Sequence, residues 1–215
     1  MMLVTRPNHD PATRYLSAWS LTLISEAKAK NIEVLDLTAH KAIRIHFEGR
    51  MKKKSPSFVL LNGHGSEETV TGQNNEVLVR AGENAQMLAG KVTYAVSCDS
   101  AARLGKEVGA IPDSVYIGYE KEFAFLQSHG YFGRPSSDPL AKPFMEFSNQ
   151  VVRGLLKGHE AGKSVERAKE VGRAELNTLL SSSSDPNAQM AAAFLSWDIK
   201  YLTCSGVATK RAYSN

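Results

Sequence analysis

The chain has 215 residues, 42% of them apolar and 22% charged, with a formal net charge of +4. That length suits one large domain burying roughly 70% of its unfolded surface, with no need for disulfide or metal staples. The mild charge, the lack of interleaved aromatic and basic residues, and the absence of any apolar run near the ~18 residues of a membrane span argue against nucleic-acid and membrane partners.

Met2-Leu3-Val4-Thr5 reads as a short first strand, closed by Arg6-Pro7. Asp10 before Pro11 is an N-cap followed by proline at the first helical position. Leu16, Trp19, Leu23, Ile24 and Ala27 then recur at helical spacing to about Lys30. A second strand is expected over Ile32–Leu37, and a second helix through Ala39, Ala42, Ile43, His46 and Phe47. That helix ends in the only dense basic run, Arg50-Met51-Lys52-Lys53-Lys54, where cations complement the helix dipole.

Phe58–Leu61 is the third predicted strand, and Glu67–Val79 reads as a small hairpin over the sheet edge. A short helix over Glu83–Leu88 stops near Gly90. Val92–Val96 is the fourth strand, Ser100–Val108 a helix starting just after Cys98, and Val115–Tyr119 the fifth strand. The remainder changes character. A Gly/Ser/Pro loop over Gln127–Pro139 leads to helices marked by Leu140, Phe144, Phe147, Val151 and Leu155, and by Val165–Leu180. The serine run Ser181-Ser182-Ser183-Ser184 with Asp185-Pro186 connects to a last helix ending at Trp197, and Ile199–Leu202 reads as a final strand. The β-α-β-α-β order predicts an α/β domain with a mostly parallel sheet flanked by helices on both faces. We read residues 1–215 as one domain, with a sheet core over 1–125 and a helical part over 126–215.

The third and fourth strands each stop on a reactive side chain: Asn62-Gly63-His64-Gly65 and Ser97-Cys98-Asp99-Ser100. His64 and Cys98 lie 34 residues apart, about one crossover unit, so both belong at carboxyl ends of neighbouring parallel strands. A thiol there can attack a carbonyl if an imidazole takes its proton and the site favours the thiolate. The expected helix after Cys98 would assist through its dipole. The Gly65 and Cys98 amides are candidate oxyanion donors. Asp99 opposes a low thiol pKa unless it meets a cationic substrate group, and it serves equally as the cap of the following helix. The plain alternative is a turn after the third strand and an inert packed cysteine. His9, His40, His46, His129 and His159 show no metal-ligand spacing with Cys98 or Cys204, so no metal or other cofactor is expected. Cys204 reads as packing. The N-terminus lacks a signal peptide's apolar core, so both thiols are read as free and the protein as cytoplasmic.

Strand then His-Gly, and strand then Ser-Cys-Asp-Ser, resemble the caspase-like cysteine peptidases, a group that includes caspases, metacaspases, gingipains, clostripain, separase and bacterial CHAT-domain proteins. The second motif is most similar to the bacterial CHAT and gingipain-type members, and residues 62–125 carry the likeness. The resemblance implies a caspase-like α/β/α sandwich and a cysteine endopeptidase acting on peptide or protein substrates. It also implies a His64–Cys98 dyad, an oxyanion hole formed partly by Gly65, and in some relatives activation by cleavage, calcium or a partner. No calcium loop is present, and the loops at Gln127–Pro139 and Ser181–Pro186 are the candidate cleavage sites. It puts Tyr119-Glu120-Lys121-Glu122 near the primary specificity pocket, where Glu120 with Asp99 would favour a basic residue before the scissile bond. The caspase Gln-Ala-Cys-Arg-Gly signature is absent, and Val96 stands where some basic-specific relatives carry Asp. Two rival readings stay open: a non-catalytic module of the same fold that binds a peptide or partner, and a flavodoxin-like ligand-binding domain, for which no phosphate cradle is evident.

Overall fold

Short apolar runs with no polar alternation are the mark of strands covered on both faces, and they form the centre of this protein. The computed structural model describes residues 1–181 and 186–213. Its main sheet contains β1 (Met2–Arg6), β2 (Val34–Thr38), β3 (Phe58–Asn62), β6 (Val92–Val96), β7 (Val115–Tyr119) and β8 (Leu202–Gly206), in the order β2-β1-β3-β6-β7-β8. Every neighbouring pair is parallel except β7 with β8. A separate hairpin is made by β4 (Thr69–Thr71) and β5 (Val77–Arg80), as expected. The helices are α1 (Pro11–Ala29), α2 (Arg44–Lys54), α3 (Leu104–Ala110), α4 (Lys142–Leu156), α5 (Ala161–Ser181) and α6 (Pro186–Tyr201). Among the described residues no helix is long and apolar enough to cross a membrane.

Strand period two sorts the apolar side chains into two cores. Val4, Phe58, Leu60, Tyr94 and Ile117 face α1, α4, α5 and α6, whereas Leu3, Val59, Leu61, Ala95 and Tyr116 face α2, α3 and the hairpin. The protein is therefore α/β, with a mostly parallel sheet flanked by helices on both faces. Truncating a side chain such as Leu60, 1% exposed, to alanine costs about 2–5 kcal/mol in a packed core of this kind.

Three expectations are corrected by local hydrogen bonding. The helix after Cys98 starts at Leu104, not Ser100. Residues 100–103 form turns instead, because the Ala101 amide donates to Tyr119 O and the Ser100 hydroxyl accepts from Ser97 and Tyr116. The last strand is Leu202–Gly206, not Ile199–Leu202. Helix α6 continues through Tyr201 because Trp197 Nε1 donates to Glu122 O and Asp198 accepts from the Ala124 amide. The second helix is also delayed, to Arg44, after a 3-10 turn at Ala39–Lys41. The Gln127–Pro139 loop contains two 3-10 turns and is pinned, with Tyr15 Oη and the Ser128 amide both donating to Asp138. Most of the serine connector, residues 182–185, lies outside the described residues.

Candidate active site

The parallel register of β3 with β6 pairs Asn62 with Val96. His64 and Cys98 each sit two residues beyond that pair, so both leave the sheet at the same edge, and both line one small cavity there. The hairpin braces the first of these departures. The Thr71 amide donates to His64 O, and a Cβ at Gly63 would lie 1.9 Å from Thr71 O, so only glycine fits. Gly65 is pressed against the second departure, since a Cβ there would lie 2.5 Å from Cys98 O. Its N–H and that of Cys98 take part in no hydrogen bond among the described residues, which leaves both amides available to an incoming oxyanion.

The turn carrying Cys98 is held from several sides. The Ser97 hydroxyl donates to Ser100, Tyr116 Oη donates to Ser100, and the Asp99 amide donates to Lys121 O. Asp99 adopts a left-handed φ of +58°, unusual for a residue with a side chain. It caps no helix: the residue before α3 is Arg103.

His64 Nε2 lies 2.7 Å from Asp10 Oδ2. Asp10 is the N-cap of α1, with Oδ1 accepting from the Thr13 amide and the Thr13 hydroxyl answering to the Asp10 backbone. Partial burial alone would raise the Asp10 pKa. The Thr13 amide and His64 outweigh that and hold the carboxyl below its ordinary range. As an anion Asp10 can only accept, so Nε2 carries the imidazole hydrogen and Nδ1 is the basic nitrogen. Sequence reasoning took Asp10 for a cap and missed this second bond, which spans 54 residues. His9 joins the same cluster, with Nε2 3.1 Å from Asp10 Oδ2 and its ring edge-on to that of His64.

The thiol is electrostatically unassisted. Cys98 Sγ donates to Phe123 O at 4.0 Å, and among the described residues no hydrogen bond joins it to His64. Burial pushes its pKa up, more than the Phe123 contact offsets, and the carboxylates of Asp99, Glu122 and Asp198 push it further. The helix dipole expected to lower it is absent, because α3 begins six residues later.

Beside the thiol opens a cleft of about 560 Å³ lined by Cys98, Gly65, Asp99, Glu122, Phe123 and Phe194, among others. Asp99 has a raised pKa through burial first and then repulsion from Glu122, tempered by Lys121. Asp99 and Glu122 thus set two mutually repelling carboxylates in one cleft, the placement that the expected binding of a basic side chain requires. Glu120, expected to bind substrate with Asp99, does not line the cleft; its amide donates to Tyr201 O, and Glu122 lines the cleft instead. Cys204 lies in β8, opposite Ile117 and away from these groups. No family model matches the chain, and no curated protein matches it in sequence.

Proposed function

We propose that the protein is a cysteine endopeptidase of the caspase-like kind that cleaves after a basic residue. The observation that carries the reading is the shared register of β3 and β6, which brings an imidazole with a free basic nitrogen, a thiol and two uncommitted amides to one sheet edge. His64 Nδ1 takes the Cys98 thiol proton as sulfur attacks the carbonyl carbon. The oxyanion is received by the Gly65 and Cys98 N–H groups. The C–N bond breaks as the imidazolium returns that proton to the leaving amine. Water, deprotonated by His64, then hydrolyses the thioester and regenerates the thiol. Asp10 positions His64 through Nε2. Asp99 and Glu122 receive the Lys or Arg side chain of the substrate. That cation also neutralises the two strongest charges opposing the thiolate, so substrate binding itself favours ionisation of Cys98. Action in the cytoplasm, on peptide or protein substrates, belongs to the same proposal and rests on the free thiols.

A second reading, a non-catalytic module that binds a peptide in the same cleft, is favoured by one observation: the thiol donates to Phe123 O rather than to His64. Cleavage of fluorogenic peptides varied at the residue before the scissile bond separates the two. Cleavage that strongly favours Lys or Arg substrates and is abolished in Cys98→Ala supports the peptidase. Binding of the same peptides without cleavage, unchanged by Cys98→Ala, supports the module.

A further inference from the structure

We propose that His9, Asp10 and His64 form a binding site for a divalent transition-metal ion of the zinc type, and that the bound ion takes His64 out of proton transfer. One donor atom from each of the three residues lies within 4.8 Å of the others. Two of the separations are 3.1 Å, from His9 Nε2 to Asp10 Oδ2, and 2.7 Å, from His64 Nε2 to the same oxygen. Donors on a tetrahedral zinc ion, with bonds of about 2.0–2.1 Å, stand roughly 3.3 Å apart. The three groups therefore need only small outward movements to admit the ion. Two imidazoles and one carboxylate are also the ligand types that zinc prefers, and the set carries a single negative charge.

The site is built into the sheet. His9 and Asp10 lie just after β1, and His64 lies just after β3, which pairs with β1. The Asp10 carboxylate is already oriented, because Oδ1 is fixed on the Thr13 amide and Oδ2 is turned to both rings. His9 supplies an independent sign. Its side chain is 13% exposed, and its Nε2 has two acceptors at once, Asp10 Oδ2 and Asn75 Oδ1 at 3.2 Å. Its Nδ1 is buried with no partner among the described residues. A buried nitrogen without a partner is costly, so the ring's bonding is incomplete as it stands. Coordination would use Nε2, the nitrogen that already faces Asp10 Oδ2, in place of its contact with Asn75 Oδ1. The positive end of α1 opposes a cation here, and the Asp10 anion offsets it.

The consequence for catalysis rests on the peptidase reading: an imidazole held on a metal cannot relay the Cys98 proton, so the ion is an inhibitor that a chelator removes. The metal site itself does not depend on that reading, and its test begins with binding. Zinc is titrated into the purified full chain by calorimetry, with Co²⁺ as a spectroscopic probe of tetrahedral ligation. The wild type and Cys98→Ser are expected to bind equally. His9→Ala and His9→Gln, both checked for an unchanged circular dichroism spectrum, are expected to bind at least about tenfold more weakly. Zinc should raise the melting temperature of the wild type more than that of either His9 variant. Where cleavage is observed, the His9 variants should keep it without zinc and need at least about tenfold more zinc for inhibition. Equal affinity in the His9 variants overturns the site, and loss of binding in Cys98→Ser moves the ion to the thiol and overturns it too. Zinc binding without peptidase activity leaves the site standing and removes only the inhibitory role.

Discussion

Cys98 and Cys204 are both partly buried free thiols of the same sheet, one just past the end of β6 and one in the middle of edge strand β8, and burial raises the pKa of each. For Cys204, in the antiparallel edge strand β8, burial is the whole cause and carries the value to about 11. For Cys98 three carboxylates add to burial. By its resting acidity neither looks like a nucleophile. What separates them is neighbourhood: Cys98 shares a cavity with an imidazole fixed by Asp10, adjoins two unoccupied amides, and opens onto an acidic cleft. The difference teaches that a site is recognised by the groups that can answer a charge as it forms, not by the resting state of one group.

The sharpest way to break this contrast is to delete each sulfur in turn. Cys98→Ser should lower kcat/KM on a Lys or Arg peptide by about 10³-fold or more, whereas Cys204→Ser should leave it unchanged. Equal effects would mean that the two thiols are equivalent and the site reading is wrong. Gly65→Ala comes next. Its new methyl would meet the Cys98 backbone carbonyl at 2.5 Å, so the oxyanion amides must move. A loss of about 10²-fold in kcat is expected with the fold intact by circular dichroism. Asp99→Asn together with Glu122→Gln should reduce kcat/KM for basic substrates by roughly 10–100-fold. Neutral substrates, slow in the wild type, should gain relative to basic ones; loss of both alike would show that the carboxylates support structure rather than selectivity.

The smallest effect concerns Asp198, 0% exposed beneath the Glu122–Ala124 wall, with one oxygen on the Ala124 amide and the other without a partner among the described residues. Burial raises its pKa well above the ordinary carboxylate value. Between the unfolded and folded values the native state holds the extra proton, so stability falls as pH rises through that window, by up to about 1.4 kcal/mol per pH unit. Urea midpoints measured across pH should show this decline in the wild type and lose it in Asp198→Asn. An identical pH profile in the two proteins would show that Asp198 titrates normally.

The sheet was legible because its strands are unbroken apolar runs, and the start of α1 because Asp10 and Pro11 announce it. The meeting of His64 with Cys98 followed from their equal distance past matched strands. Other features were hidden for physical reasons. The alanines after Ser100 favour a helix, and only the long-range bonds from Tyr116 and to Tyr119 delay it to Leu104. Strand β8 is polar at Thr203 and Ser205, so its place at the edge beside β7 left no apolar signal. Glu120 and Glu122 are indistinguishable by composition, and the backbone path past β7 decides which one reaches the cleft. The tie from Asp10 to His64 depends on β1 lying beside β3, which no local spacing records.

The thiol of Cys98, kept protonated by its surroundings and partly buried beside the Phe123 carbonyl, also sets how the protein meets an oxidant. Peroxide reacts with thiolates that solvent can reach, so a residue resting as the neutral acid is slow to enter the sulfenic and sulfinic series. Peroxide added to the free protein should therefore consume Cys98 little faster than Cys204. Added with a saturating lysine-containing inhibitor peptide that leaves the sulfur exposed, it should consume Cys98 first, because the cation has lifted the charge that protected it. On the proposed reading, the cleft that would select the substrate also shelters the nucleophile between encounters.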